Sequence, residues 1–149
     1  MNNIQPPTLI KRIEWVMGHR IVGHPLDQHL HGHRFVLDAE FLPHGEIDIG
    51  DIKALLTRTV VTPLDHSFVF DNADKVMKQF FAKNPTLKHV KVFSKPTMEH
   101  MLLWIVRALE RDTWFASHLR LSVLTLWESP TSSATLRIKN RTKKIVNVL

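Results

Sequence analysis

The chain has 149 residues, 44 % of them apolar and 23 % charged, which suits a single globular domain spanning residues 1–149 with a core of its own. No apolar run reaches the ~18–20 residues that cross a bilayer. The opening MNNIQPPTLIKRIEW lacks the basic start and apolar stretch of a signal peptide, so no membrane partner and a cytoplasmic location are expected. Cysteine is absent, which excludes disulfides, thiolate metal ligands and a cysteine nucleophile. The net charge of +6 fits a basic surface or an anionic partner. Much of the excess lies in one late run, Arg137, Lys139, Arg141, Lys143 and Lys144. No aromatic residue interleaves with that run, which argues against nucleic acid as the partner.

In chain order, residues 9–18 read as a first strand and 34–42 as a second, with Phe35, Leu37, Ala39 and Phe41 on one face and Arg34, Val36, Asp38 and Glu40 on the other. PHGE (43–46) is a turn. A helix begins near Asp48, which can cap it, carries Ile49, Ile52, Leu56 and Val60 at helical spacing, and is expected to end at Pro63. Residues 72–82 suggest a short helix with Val76, Met77, Phe80 and Phe81 on one side, and 89–93 a short strand. Pro96 and Thr97 open another helix, with Glu99 in its first turn and Met101, Leu102, Ile105, Val106 and Leu109 as its apolar stripe. Residues 119–128 and 133–139 form a closing hairpin with Pro130 to Ser132 in the turn. Two strands, helices, then two strands predict an α+β fold: a four-stranded antiparallel sheet with helices on one face.

Ten histidines are the least ordinary feature. His31 and His33 alternate along the start of the second strand, so both project to the face of Phe35 and Leu37. His19 closes the first strand, and antiparallel pairing can bring it alongside. Three neutral imidazoles with one open position describe a catalytic zinc site, where the metal polarises bound oxygens. His24 and His29 lie in the same stretch, and spacing alone does not choose among the five.

Resemblance makes the choice. GHRIVGHPLDQHLHGHRF resembles the opening motif of the 6-pyruvoyl-tetrahydropterin synthase / 6-carboxytetrahydropterin synthase family, a strand ending in His followed by a loop and then HGH. Gly45-Glu46-Ile47-Asp48 with Ile52-Lys53, Leu64-Asp65-His66, Pro96-Thr97-Met98-Glu99 and Trp127-Glu128-Ser129 resemble four further family motifs in the same order, over residues 9 to 138. The resemblance implies the tunnelling fold, in which sheets of several subunits close a barrel, and commonly a homo-hexamer built as a dimer of trimers. It implies Zn2+ on His19, His31 and His33, and a pterin triphosphate, 7,8-dihydroneopterin triphosphate, as substrate. It gives Glu128 the pterin ring, whose N–H edge a carboxylate can accept twice, and makes Asp65 and His66 the acid–base pair. Adjacent residues diverge on regular backbone, so that pair needs the irregular segment that Pro63 suggests.

One departure bears on the chemistry. The family's usual base is a cysteine four residues before the first His of HGH, and here that position is Asp27. A carboxylate beside zinc can serve as base, although the metal's charge lowers its basicity; as a plain loop residue Asp27 would cap the turn after Pro25. Relatives that cleave the side chain as aldolases use a Glu one position later, where this chain has Gln28. The segment from Phe68 to Lys95 is longer than in compact bacterial relatives, and its lysines at 75, 78, 83, 88, 91 and 95 form a solvated face or a rim that attracts phosphate. The expected activity is that of a lyase making 6-carboxy-5,6,7,8-tetrahydropterin for a 7-deazaguanine (queuosine-type) pathway. The pyruvoyl product and 6-hydroxymethyl-7,8-dihydropterin are the alternatives within the family, and a non-catalytic pterin-binding oligomer is the alternative outside it.

Overall fold

The computed structural model describes residues 4–139, so Arg141, Lys143 and Lys144 of the basic run lie outside the described residues. Six strands form one sheet: β1 (Leu9–His19), β2 (His31–Pro43), β3 (Ser67–Asp71), β4 (His89–Val92), β5 (Leu119–Ser129) and β6 (Ser132–Arg137), in the order β4-β3-β1-β2-β5-β6. The α+β class holds, but the expected four-stranded antiparallel sheet is corrected. β1, β2, β5 and β6 pair antiparallel, while β3 joins β1 and β4 joins β3 in parallel. Parallel neighbours need a crossover, and here helices supply it. The short strand expected at 89–93 is present as β4 and joins the sheet beside β3, which was not anticipated: it is short, and no turn dipeptide joins it to a neighbour.

Strand parity works as expected in β2. Phe35, Leu37, Ala39 and Phe41 are buried, and with Ile13, Trp15 and Met17 of β1 and Leu124 and Leu126 of β5 they form the sheet's half of the core. The helices supply the other half: α1 (Ile49–Leu56), α2 (Thr62–Leu64), α4 (Met98–Glu110) and α5 (Thr113–His118), with Ile52, Leu55, Leu56, Leu64, Met101, Ile105 and Leu109 buried. Each fully buried Leu or Phe contributes about 1.5–3 kcal/mol of transfer free energy. A satellite core of Phe70, Met77 and Phe81 seats α3 (Lys75–Lys83) on β3. On α3 the apolar side is narrower than expected: Val76 and Phe80 are exposed.

Asp48 caps α1 as anticipated, accepting the N–H of Gly50. The chain does not stop at Pro63. It widens through a π-helical turn, Thr57–Val61, and ends at Leu64. Proline in a helix lacks an N–H and its ring crowds the carbonyl four residues back; one extra residue per turn relieves that crowding. α5 was not anticipated, because its six residues carry too little periodicity. The hairpin turn is Pro130–Thr131, one residue shorter than expected, since Ser132 already pairs with Ser129. Among the described residues no helix is long and apolar enough to cross a membrane.

A candidate metal centre at the ends of β1 and β2

The β1–β2 register sets His19 opposite His31 and Met17 opposite His33. His19 ends the buried row Ile13-Trp15-Met17, and His31 and His33 precede Phe35 on the same face. The three rings therefore meet where the core opens, with centroids 4.5, 5.2 and 5.0 Å apart. One ring nitrogen from each lies within 4.8 Å of the others. The neighbouring face must be empty for the strands to close: a Cβ on Gly32 would stand 2.9 Å from the Met17 carbonyl oxygen, and one on Gly18 would stand 2.7 Å from the Phe68 ring.

Backbone carbonyls orient two of the rings. His19 Nδ1 lies 2.9 Å from the oxygen of Pro96, and His31 Nδ1 lies 2.8 Å from that of His29. A carbonyl only accepts, so each Nδ1 carries the proton and each Nε2 keeps a free lone pair. The Nε2 atoms of His19 and His33 are buried with no hydrogen-bond partner. Buried polar atoms are seldom left so, and a divalent ion would satisfy them. Burial pushes the His19 imidazole down to about 4, against the partial compensation of the Pro96 carbonyl, and His31 and His33 push in the same direction. His19 is thus neutral and ligand-ready at neutral pH. A neutral His19, two rings held through Nδ1 by carbonyls, and three convergent ring nitrogens fit zinc. Spacing had left five histidines open; His24 and His29 are exposed and stand outside the trio.

Glu128 is the extra residue of a β-bulge, since Trp127 pairs with Ser133 and Ser129 with Ser132. Bulges re-aim side chains, and this one brings Glu128 Oε1 to 3.8 Å from His33 Nε2. The two residues share a hollow of about 550 Å3 with Arg12, Arg34, Val36, Trp127, Ser129 and Pro130. Asp27 sits in the loop between β1 and β2, with Oδ1 4.0 Å from His31 Nε2 and Oδ2 3.2 Å from His24 Nδ1. The backbone of Asp27 rather than its carboxylate closes that loop, accepting from Ile21 N at 2.7 Å and donating to His24 Nδ1 at 2.9 Å.

Asp65 and His66 form a pair on irregular backbone. His66 has φ 58°, in the left-handed region, where a non-glycine residue is strained. Its N–H donates to the Val16 carbonyl at 2.7 Å, and its Nδ1 stands 2.9 Å from Asp65 Oδ2. Asp65 Oδ1 accepts from Val16 N at 3.0 Å. That backbone N–H, then His66, hold the Asp65 carboxyl below the usual carboxylate range. Lys88 donates to the carbonyls of Thr62 and Asp65 at 2.7 and 2.6 Å. Asp65 and His66 are not among the groups whose ligand atoms cluster with the imidazole trio. His66 is exposed and borders a hollow of about 490 Å3 that it shares with Val16, Met17, Gly18, Gly32, His33, Arg34 and Ser67. Sequence reasoning missed the carbonyls of Pro96 and His29, because a backbone acceptor leaves no trace in side-chain motifs.

Comparison with known proteins accords with this arrangement. The chain is 29 % identical over 137 residues to a 6-carboxy-5,6,7,8-tetrahydropterin synthase of Haemophilus influenzae, covering 82 % of this chain and 92 % of the relative. A crystal structure of an uncharacterized protein from Wolinella succinogenes has a TM-score of 0.72 at 20 % identity, covering 89 % of this chain and 98 % of that one. The crystal structure of 6-pyruvoyl tetrahydropterin synthase from Plasmodium vivax has a TM-score of 0.61 at 18 % identity, with 89 % and 100 % covered. The model of the family described as 6-pyruvoyl tetrahydropterin synthase matches residues 8–139. With nearly its whole length matched, and with the motif histidines gathered at one point of the fold, the chain belongs to the 6-pyruvoyl tetrahydropterin synthase family.

Proposed function

We propose that this protein is a zinc-dependent lyase of pterin metabolism that acts on 7,8-dihydroneopterin triphosphate, eliminates triphosphate and reworks the C6 side chain to give 6-carboxy-5,6,7,8-tetrahydropterin. The observation that carries the reading is the convergence of His19, His31 and His33, with one ring nitrogen of each within 4.8 Å of the others. His19, His31 and His33 would hold Zn2+, which when bound polarises substrate oxygens and makes their carbon-bound protons easier to remove. Glu128, beside His33, accepts the N–H edge of the pterin ring and fixes its orientation. Asp27 approaches His31 and is a carboxylate able to take a proton at the position where the family usually carries a thiol. His66, with Nδ1 paired to Asp65, keeps Nε2 free to give or take a proton.

His66 and His33 line one hollow, and in this reading the Asp65–His66 pair serves the site from there. An oligomer, a hexamer of two trimers closing the sheets into a barrel, belongs to the proposal through membership of the family. The name of the Haemophilus influenzae relative favours the carboxy product over the pyruvoyl and hydroxymethyl products. Zinc-loaded protein incubated with 7,8-dihydroneopterin triphosphate is expected to release triphosphate and yield the carboxy product by mass spectrometry. Absence of product, with zinc and pterin still bound, would favour the second reading, a pterin-binding oligomer without turnover, which the missing thiol recommends. In that event Asp27→Cys is expected to gain activity.

A further inference from the structure

We propose that the Arg20–Asp74 ion pair is a positioning clamp for the metal site, holding the β1–β2 loop where its carbonyl at His29 and its carboxylate at Asp27 address His31. The proposal rests on the metal-site reading above. Arg20 directly follows the ligand His19, and its guanidinium meets Asp74 with two bonds, Nε to Oδ2 at 2.6 Å and Nη2 to Oδ1 at 2.9 Å. Asp74 caps α3, and its Oδ1 also accepts the N–H groups of Val76 and Met77 at 3.1 and 3.2 Å. The side chain is only 2 % exposed, and both of its oxygens accept hydrogen bonds inside the protein. The remaining guanidinium nitrogen, Nη1, lies 3.4 Å from the carbonyl oxygen of Gln28.

One side chain thereby ties three pieces together: the end of β1, the start of α3, and the far end of the loop. Between these anchors the loop is a closed unit, sealed by Ile21 N to Asp27 O at 2.7 Å. Its displacement would move the His29 carbonyl, which sets the His31 ring, and Asp27, which faces that ring's other nitrogen. His19 is oriented independently by Pro96, so the clamp acts on His31 and Asp27 more than on the other ligands. A buried ion pair is poor evidence for stability as such, because apolar groups of similar volume often serve a fold as well. A planar fork bound bidentately is, however, suited to fixing geometry. Asp74 lies within the segment Phe68 to Lys95, which gives that segment a task at the site.

The test is Co2+ binding by the full chain, read as affinity against a chelator and as the visible d–d spectrum, in the parent, Arg20→Lys, Arg20→Gln and Asp74→Asn. Arg58→Gln serves as control, because it breaks another bidentate pair, with Asp112, that is remote from the trio. Arg20→Gln and Asp74→Asn are expected to lose about 10–100-fold in Co2+ affinity, as partners that orient metal ligands do, with altered d–d bands. Arg20→Lys, which keeps the charge but lacks the fork and is the mildest variant for folding, is expected to show the same changes in part. Arg58→Gln is expected to lower the melting temperature while leaving affinity and spectrum unchanged. Folded Arg20 and Asp74 variants that bind Co2+ with the parent's affinity and spectrum would overturn the clamp alone. A parent that binds no Co2+ would overturn the metal reading, and the clamp with it.

Discussion

The most enclosed residue of the site is His19, only 1 % exposed, and its titration is the site's plainest energetic consequence. Its imidazole falls from an ordinary 6.5 to about 4 because burial penalises the cation. As pH drops, the unfolded chain therefore takes up this proton before the folded one does. The metal-free fold holds the resulting stability in full above about pH 6.5 and loses it progressively down to about pH 4, a change on the order of 3 kcal/mol. The depressed carboxylates Asp65, Asp74 and Asp112 titrate below their ordinary 3.8, beneath this window. Urea unfolding of metal-free protein between pH 7.5 and 4.5 is expected to show this loss, and His19→Asn is expected to flatten the curve. An equally steep curve in the variant would assign the loss to other groups. At this scale the convergence of His19, His31 and His33 was readable from the H-x-H alternation and the family motif. Asp27 was readable only as a departure, since its 4.0 Å approach to His31 depends on a loop fold that no local pattern encodes.

At the scale of elements, the site exists because two strands end together and two glycines leave one face bare. Gly18 and Gly32 pair across β1 and β2, and the crowding expected of a Cβ at Gly32 is against backbone, which cannot swing aside. Gly32→Ala is expected to cost about 1–3 kcal/mol as an overpacked position, read by chemical denaturation, and to weaken zinc binding by spreading His19 from His31. Unchanged stability would mean that the strands have slack at this point. The alternation of β1 and β2 was plain in the sequence because their faces differ in polarity. β4 was legible as a short strand, but β3 was not, being five residues long and joined to β4 through α3 rather than by a turn. The helix ends one residue past Pro63, close to where it was expected to end, but the π-helical turn before it was not anticipated, because proline rules assume α-helical spacing. That same turn delivers Asp65 and His66 to the edge of β1, so local irregularity and the Asp65–His66 pair arise together.

For the whole molecule, the proposed machinery gathers around the paired ends of β1 and β2. The imidazole trio lies at the mouth of the core, and His66 lines a hollow with Val16, Gly18, His33 and Arg34. The even-numbered face of β1 and β2 also carries Ile10, which is exposed, and the paired charges Arg12–Asp38 and Arg34–Glu14. The α+β class and the order of motifs were legible because each motif falls at an element boundary. The mixed six-stranded topology was not, because parallel pairing is decided by packing across a crossover. Everything functional nevertheless converges on whether three imidazoles share one ion. X-ray absorption at the zinc edge on stoichiometrically loaded protein is expected to show three imidazole nitrogens at about 2.0–2.1 Å with an oxygen completing the shell, reduced to two imidazoles in His33→Ala. A shell without imidazole scattering, or one that His33→Ala leaves unchanged, would contradict the account.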